Sequence, residues 1–523
     1  MSEIQTFQFR TSELDKIRNY KFGKNWPAVY LIENGKELYI GETVSVFSRT
    51  KQHLDTPKRS ELKNIHVISD DEFNKSATLD IESWLIQYIS AEGMFVLQNG
   101  NGGLKNHEYY DREKYRAKFE LIWKDLQKMS LVRQELVQLR NTDIFKYSPY
   151  KSLSDDQIIV VTDLLKKIFK EEQRSYLING KPGTGKTVLA TYLMKYLAEN
   201  EKTRHLKIGL VVPMTALRST LRRVFRKIPG LKQTQIIGPA DVVKETYDLL
   251  IVDEAHRLKR RVNIANYQSF DVVNRKLGFD NSGTELDWIL KSSKQQIFFY
   301  DRNQSVRPSD VPEERFSKLN AEFYNLASQL RVEGGEKYIN FIDDLLSLRD
   351  TTYSPTNYDF KLYNHVGDMV EDIKKRDSQG GLARVVAGYA WDWKTKKKGA
   401  EYDIDIDGLK LVWNSTMNDW VNSKNAVNEV GCIHTIQGYD LNYTGVIVGP
   451  EISYDPQARR IRVDAQKYKD INGRKSAGSP EELERYVVNI YKTLLTRGIK
   501  GTYVYIVDPE LRKLFNSSLS VLS

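Results

Sequence analysis

Apolar and polar positions along this chain follow two rhythms, and the switches between them mark its elements. Ala28 to Ile32 (AVYLI) is a continuous apolar run of strand length, a polar stretch centred on Asn34-Gly35 follows, and Leu38 to Ile40 (LYI) returns. Two apolar runs around Asn-Gly predict a hairpin. After Gly41-Glu42-Thr43 the helical period takes over in VSVFSRTKQHL, placing Arg49 and His53 at i and i+4 on one helix face. A short strand pattern, IHVIS, precedes helical periodicity over Leu79 to Ile89, with Glu82 inside it; Val96-Leu97-Gln98-Asn99 and a glycine-rich turn close the segment. From Asn106 to Arg140 the spacing is helical and highly charged, and Tyr147-Ser148-Pro149-Tyr150 breaks it.

Beyond that break the pattern changes to short apolar strands alternating with amphipathic helices, the order that predicts a parallel sheet. SLSDDQIIVVTDLLKKIF (152–169) reads as a helix, and Tyr176-Leu177-Ile178 as a buried strand. LKIGLVVPM (206–214), YDLLIVDEAHRL and IFFYDRNQSV (297–306) read as further strands, and LASQLRV (326–332) places Arg331 after an apolar stretch. The distal half repeats the theme in NEVGCIHTIQGYDLNYTGVIVGPEI (428–452) and YKTLLTRGIKGTYVYIVD (491–508).

The chemistry concentrates where a strand gives way to a helix. Between Ile178 and VLATYLMKYLAE stand Gly180, Gly183, Thr184, Gly185, Lys186 and Thr187, in the spacing G-x-x-x-x-G-K-[ST]. Strand, glycine loop and helix together form the context of a phosphate-binding loop. Glycines let backbone N–H groups turn around phosphate oxygens, and the helix N-terminus adds positive potential. Lys186 is expected on the β- and γ-phosphates of ATP and the Thr187 hydroxyl on Mg²⁺. About seventy residues on, Asp253-Glu254-Ala255-His256 ends a buried strand. There Asp253 is expected to hold Mg²⁺ and Glu254 to polarise the attacking water. Gln157 is the candidate reader of adenine, and Gln304 the candidate sensor of the γ-phosphate.

The whole succession from 152 to 510, read in order, resembles superfamily 1 helicases, and more closely the bacterial helicase-like family related to the C-terminal domain of Schlafen proteins. The resemblance implies two RecA-like lobes, with Arg331 and Arg497 as arginine fingers that stabilise the transferring phosphoryl group. HTIQG stands where a Thr…Lys-Gly pattern is more usual in that superfamily. Residues from about 25 to 105 resemble the GIY-YIG endonuclease family: Val29-Tyr30-Leu31 stands for its first motif and Tyr39-Ile40-Gly41 for its second, with Ala28 in place of the usual glycine. By that resemblance Tyr30, Tyr39, Arg49, His53 and Asn99 are catalytic and Glu82 binds one divalent metal. The chemistry is coherent in itself. Magnesium on Glu82 acts as a Lewis acid, Arg49 forks onto the phosphate, and Tyr30 or His53 takes the proton of water.

Length and charge sharpen this picture. A chain of 523 residues calls for two to four domains. The expected architecture is α/β: a small α+β nuclease domain (1–107), a helical connector (108–150), and two RecA-like parallel-sheet lobes (151–350 and 351–523). The net charge of +10 favours a polyanionic partner. Nucleic acid is that partner, DNA favoured over RNA, with a homo-oligomer or partner protein also open. Basic residues accompany two further candidate contacts: Trp391, Trp393, Trp413 and Trp420 as base-stacking residues, and 457–475 as an arm touching phosphates. The single cysteine, Cys432, excludes an intramolecular disulfide or a Cys-cluster zinc site. The amino terminus lacks the apolar core of a signal peptide and no run reaches the ~18 apolar residues of a membrane span, so the expected location is cytoplasmic. The resulting expectation is an ATP-driven motor fused to a DNA-cutting domain, serving defence against phage or other invading DNA, or repair. The alternative is an ATP-dependent nucleic-acid-sensing switch whose N-terminal module binds without cutting.

Overall fold

The structure is a computed structural model that describes residues 2–100, 109–168, 174–264, 266–301, 304, 309–355, 358–396, 399–417, 419–436 and 439–519. The chain divides into two compact units. The first comprises Met1–Phe169, Val188–His205 and Thr220–Gln235, and the second Lys170–Thr187, Leu206–Ser219 and Ile236–Ser523.

The first unit carries a five-stranded sheet made of β1 (Glu3–Gln8), β2 (Ala28–Glu33), β3 (Glu37–Thr43), β4 (Asn64–Ser69) and β5 (Val96–Leu97), in the order β1-β4-β2-β3-β5. The β2–β3 hairpin forms around Asn34-Gly35: the Asn34 side chain accepts from the backbone of Lys36 and Glu37, and Gly35 takes φ +81°. Every residue of β2 is buried, because it is flanked by strands on both edges and covered on both faces. Ala28, Tyr30 and Ile32 point to a core shared with Ile17, Val46, Leu62, Ile65 and Val67. The helix Lys75–Glu92 packs on β2 and β3. The helix Val46–Leu54 starts where the Ser45 hydroxyl caps the Ser48 N–H, and Lys75–Glu92 where the Asn74 side chain caps Ala77. Asn99, just past β5, uses its whole amide on one backbone residue of β3. Its Oδ1 accepts from Ile40 N at 3.0 Å and its Nδ2 donates to Ile40 O at 2.8 Å.

Among the described residues the second unit contains two large sheets and one two-stranded sheet. The first is six-stranded: β6 (Arg174–Gly180), β7 (Ile208–Val211), β8 (Ile236–Ile237), β9 (Tyr247–Val252), β10 (Ser293–Tyr300) and β11 (Ala321–Leu326), ordered β11-β6-β10-β9-β7-β8 with every pairing parallel. The second has seven strands: β12 (Asp359–Tyr363), β13 (Ala383–Ala387), β14 (Ile404–Ile406), β15 (Leu409–Trp413), β16 (Glu429–Cys432), β17 (Leu441–Val448) and β20 (Gly498–Ile506). Their order is β12-β20-β17-β13-β16-β15-β14, and all pairings are parallel except the β14–β15 hairpin at the edge. Parallel strands covered on both faces need near-continuous apolar sequence. The runs 249–252 (LLIV), 297–300 (IFFY) and 445–448 (GVIV) supply it in β9, β10 and β17, with every residue buried. A separate antiparallel pair, β18 (Ile452–Asp455) and β19 (Arg460–Val463), occupies part of the expected basic arm. Among the described residues no helix is long and apolar enough to cross a membrane.

Two of the candidate base-stacking tryptophans are core. Trp413 and Trp420 are 1% and 0% exposed, and the Trp420 indole donates to Glu429 Oε2 at 2.7 Å. Strand β15 ends on Trp413 and the turn Trp420–Asn422 buries Trp420, so neither ring has a face for a base. Trp391 and Trp393 pack partly buried beside Trp413, and the Lys396 ammonium lies 3.6 Å from the Trp393 ring centroid.

The Asn99 clamp generates a stability test. Asn99→Ala removes two buried hydrogen bonds and leaves the Ile40 N–H and C=O without partners, so the first unit should lose about 1–3 kcal/mol. Urea unfolding of the full chain should show an earlier first transition in this variant, and an unchanged curve would contradict a structural role for Asn99.

Candidate functional site

In an open parallel sheet the ligand crevice lies outside the carboxyl ends of the strands. In the six-stranded sheet, β6, β10 and β9 are consecutive neighbours, so their carboxyl ends set three groups of residues side by side. They are the phosphate loop after β6, Asp301 after β10, and Asp253-Glu254 after β9.

Gly183 and Gly185 take φ +88° and +76°, which L side chains rarely adopt, and a Cβ on Gly183 would lie 2.0 Å from Gln329 Oε1. Gln329 seals the loop from above: its Nε2 donates to Pro182 O at 2.7 Å, and the next residue, Leu330, donates its N–H to Gly183 O at 2.9 Å. At the other end of the loop a Cβ on Gly180 would meet Thr184 Oγ1 at 2.4 Å. Lys186 opens the helix Lys186–Glu199 and is only 6% exposed. Its ammonium donates to Gly180 O at 2.5 Å and to Lys181 O at 3.1 Å, and stands 3.7 Å from Asp301 Oδ2. The Thr187 hydroxyl donates to Asp253 Oδ2 at 2.8 Å.

Glu254 adopts a left-handed backbone, φ 52°, immediately after β9. A non-glycine residue held there is strained, and such strain clusters at working sites. Its Oε2 lies 2.8 Å from His256 Nε2, and both residues are buried. Burial pushes the Glu254 carboxyl up, but the His256 ring and then Lys186 and Arg497 outweigh it, so the group stays below the usual carboxylate range. Asp253 moves the other way, raised by burial and then by the charge of Glu254.

Asp301 Oδ2 accepts from Gln304 Nε2 at 2.8 Å, and Gln304 Oε1 accepts from Arg497 Nη2 at 3.4 Å. Arg497 precedes β20, is 2% exposed, and also donates to Tyr439 O at 3.5 Å. One chain of contacts therefore runs Lys186–Asp301–Gln304–Arg497, from the carboxyl edge of the first sheet to the amino edge of the second. Arg331 lies elsewhere on this boundary, its Nε 2.6 Å from Asp440 Oδ1 at the start of β17. Gln157 belongs to the first unit, buried on the helix Asp155–Ile168 with its Oε1 accepting from Ser154 N at 3.1 Å. Gln437 and Gly438 of the HTIQG stretch lie outside the described residues.

These residues fit a nucleoside triphosphate with Mg²⁺. The glycine cradle and the start of a helix suit phosphate oxygens, Lys186 supplies a buried cation, and Thr187 with Asp253 offers the oxygen donors of a hard ion that keeps waters and phosphates as its other ligands. Among the described residues no group of three or more His, Cys, Asp or Glu is placed to hold a metal by itself.

The first unit gathers a second cluster. The Tyr30 ring lies across Gly41, its partner in the β2–β3 register, and a Cβ there would sit 2.3 Å from Tyr30 Oη. Tyr30 Oη is 2.7 Å from His53 Nε2, Arg49 Nε donates to it at 3.4 Å, and the Tyr39 and His53 rings meet edge-on at 5.0 Å. Burial holds the Tyr30 hydroxyl well above its ordinary pKa. Glu82 is pushed up to about 7, first by burial and then by the Glu42 carboxylate, with Lys75 and Arg49 offsetting part of the rise. Glu42 is paired with the Lys75 ammonium. The carboxylates of Glu82 and Glu42 are oxygen donors of the kind a divalent ion takes. Asn99 stands apart from these reactive atoms, its amide committed to Ile40.

Three residues of these clusters escape the sequence reading. Glu42 directly follows the second motif, Arg59 lies six residues beyond His53, and Gln329 lies two before Arg331. Glu42 and Gln329 sit inside stretches already picked out by their pattern, and Arg59 does not.

The Schlafen group 3 DNA/RNA helicase domain matches residues 173–508, well over half of the chain. An uncharacterized protein of Saccharomyces cerevisiae is 27% identical over 389 residues, covering 65% of this chain and 83% of that protein. Among solved structures, the arterivirus nonstructural protein 10 helicase is similar at 16% identity and a TM-score of 0.33, over 67% of this chain and 64% of its own. The Pif1 helicase from Bacteroides, solved with ADP-AlF3 and ssDNA, is similar at 15% identity and a TM-score of 0.28, over 66% of this chain and 91% of its own. The phosphate loop, the acidic end of β9 and Arg497 all fall within the matched stretch, and the chain belongs to the Schlafen group 3 DNA/RNA helicase domain family, with a helicase-like ATPase region over those residues.

Proposed function

We propose that this chain is an ATP-driven nucleic-acid motor, a helicase or translocase, joined to a magnesium-dependent endonuclease that cuts DNA. In this reading residues 1–107 are the nuclease domain, 108–150 a helical connector, and 151–350 and 351–523 the two lobes of the motor. The observation that carries the motor is the chain of contacts from Lys186 through Asp301 and Gln304 to Arg497, because it joins the phosphate loop to the second sheet. The clustering of Tyr30, Tyr39, Arg49 and His53 supports the nuclease. A nuclease tethered to a motor suits defence against phage or other invading DNA, or repair.

The steps of ATP hydrolysis follow from what each side chain holds. Lys186 exchanges its carbonyl partners for phosphate oxygens, whose charge it neutralises. Glu254, oriented by His256 and kept ionised, accepts the proton of the attacking water. Arg497, oriented by Gln304 and the Tyr439 carbonyl, offers its guanidinium to the charge that develops on the transferring group. Magnesium, when bound by Thr187 and Asp253, supplies Lewis-acid charge on the phosphates. In the nuclease cluster Arg49 holds the scissile phosphate, and Glu82 provides the metal ligand.

Purified protein incubated with plasmid, Mg²⁺ and ATP, omitting each in turn, tests the whole reading: cutting should need Mg²⁺, and ATP turnover should rise with single-stranded DNA. A turnover indifferent to nucleic acid would favour the sensing switch. Arg497→Ala should keep nucleotide binding, lose on the order of 10³-fold in turnover, and be poorly rescued by lysine, which lacks the planar fork. Glu254→Gln should bind ATP and hydrolyse it slowly, since an amide takes no proton. Near-normal steady-state ATPase in either variant would remove that residue from the mechanism. Glu82→Ala should abolish Mg²⁺-dependent plasmid cleavage while leaving ATPase intact; normal cutting would exclude Glu82 from the metal site.

A further inference from the structure

Arg59 stands outside the residue set that the sequence singles out, yet it holds one whole side of His53. It ends the short turn Pro57–Arg59, and its Nη1 faces His53 Nδ1. Its Cζ lies 3.7 Å from the centroid of the Tyr39 ring, which fixes the guanidinium plane against the pocket. On the opposite side of the imidazole, Nε2 lies 2.7 Å from Tyr30 Oη. Arg49 Nε donates to that same oxygen at 3.4 Å, and Arg49 Nη1 is occupied by Gln52 Oε1 at 2.8 Å. His53 is 1% exposed, so its two nitrogens have Arg59 and Tyr30 as partners and no route to water.

Hydrogen-bond chemistry then decides where the protons are. A guanidinium carries five donors and no acceptor, and it stays charged at any working pH. Nδ1 of His53 must therefore be the accepting nitrogen. A neutral imidazole has a single N–H, which accordingly sits on Nε2 and is donated to Tyr30. Neutrality follows from the surroundings: burial, then the charges of Arg59 and Arg49, bring His53 down to about 3. Tyr30 Oη receives hydrogen bonds from both His53 and Arg49, so its own proton must point away from both.

We infer that Arg59 is a positioning residue that locks His53 as a neutral Nε2–H donor to Tyr30. His53 in this state has no lone pair left for water, and Tyr30 Oη, which accepts from both His53 and Arg49, keeps the one uncommitted proton of the pair. The consequence for cleavage rests on the endonuclease reading above; the proton assignment does not.

The test separates the two. Full-length protein labelled with ¹⁵N at its seven histidines, with His53 assigned by its loss in His53→Gln, should show an unprotonated Nδ1 and a protonated Nε2. Arg59→Lys should keep that pattern, because an ammonium also only donates. Arg59→Met should give a mixture containing Nδ1–H, with circular dichroism confirming that the variant is folded. In Mg²⁺-dependent plasmid cleavage Arg59→Met should lose about 10²-fold in kcat, the scale of a misplaced acid–base group, with KM little changed, and Arg59→Lys should recover most of it. A proton on Nδ1 in the wild-type protein overturns the inference, whether or not any variant folds. A folded Arg59→Met variant with the wild-type pattern overturns it equally. A wild-type protein that cuts no DNA defeats the endonuclease reading, while the spectra still decide the tautomer.

Discussion

A buried cation needs a ring of oxygens, and Lys186 imposes that need on the second unit. Its ammonium is almost wholly removed from water, where an unpaired charge costs several kcal/mol. The Gly180 and Lys181 carbonyls and Asp301 meet it, and each comes from the carboxyl end of β6 or β10. That arrangement requires the two strands to be neighbours in a parallel sheet. It also requires glycine at 183, because Gln329 occupies the space a side chain would take. The groups that satisfy one lysine are thus the groups that build the crevice.

The same contacts tie the two sheets to one another. Asp301 passes from Lys186 to Gln304, Gln304 passes to Arg497, and Arg331 reaches Asp440 beside β17. Under the proposed function, a nucleotide that drew Lys186 from its carbonyls would act on one end of this chain, with Arg497 at the other. A ligand shifts a conformational equilibrium by its differential contacts with the two states, and these polar links are where the difference would be felt.

The first unit solves a different problem with similar means. Tyr30 lies in the most buried strand of its sheet, and its hydroxyl reaches the cluster only because Gly41 leaves room across the hairpin. Two arginines, a histidine and two tyrosines then share a small volume. Burial and then the charges of Arg59 and Arg49 hold the His53 imidazole well below its ordinary pKa, and the Tyr39 ring face takes the Arg59 guanidinium.

Local chemistry was legible in the sequence by itself. The glycine spacing before Lys186, the Asn-Gly hairpin and the apolar runs at 176–178, 249–252 and 445–448 depend on neighbours in the chain, so the pattern of residues suffices to locate them. Tertiary structure alone decided what meets across the fold. Trp413 and Trp420 read as platforms beside basic residues, and packing turned both inward. Asn99 reads as a catalytic amide, and strand pairing spends it on Ile40. Gln329 over Gly183, Glu42 beside Glu82 and Arg59 against His53 carry no local signature. Each is an ordinary residue until the chain folds back and brings a partner within hydrogen-bond or Coulomb range, and that distance is set by strand order and helix packing, which no short motif encodes.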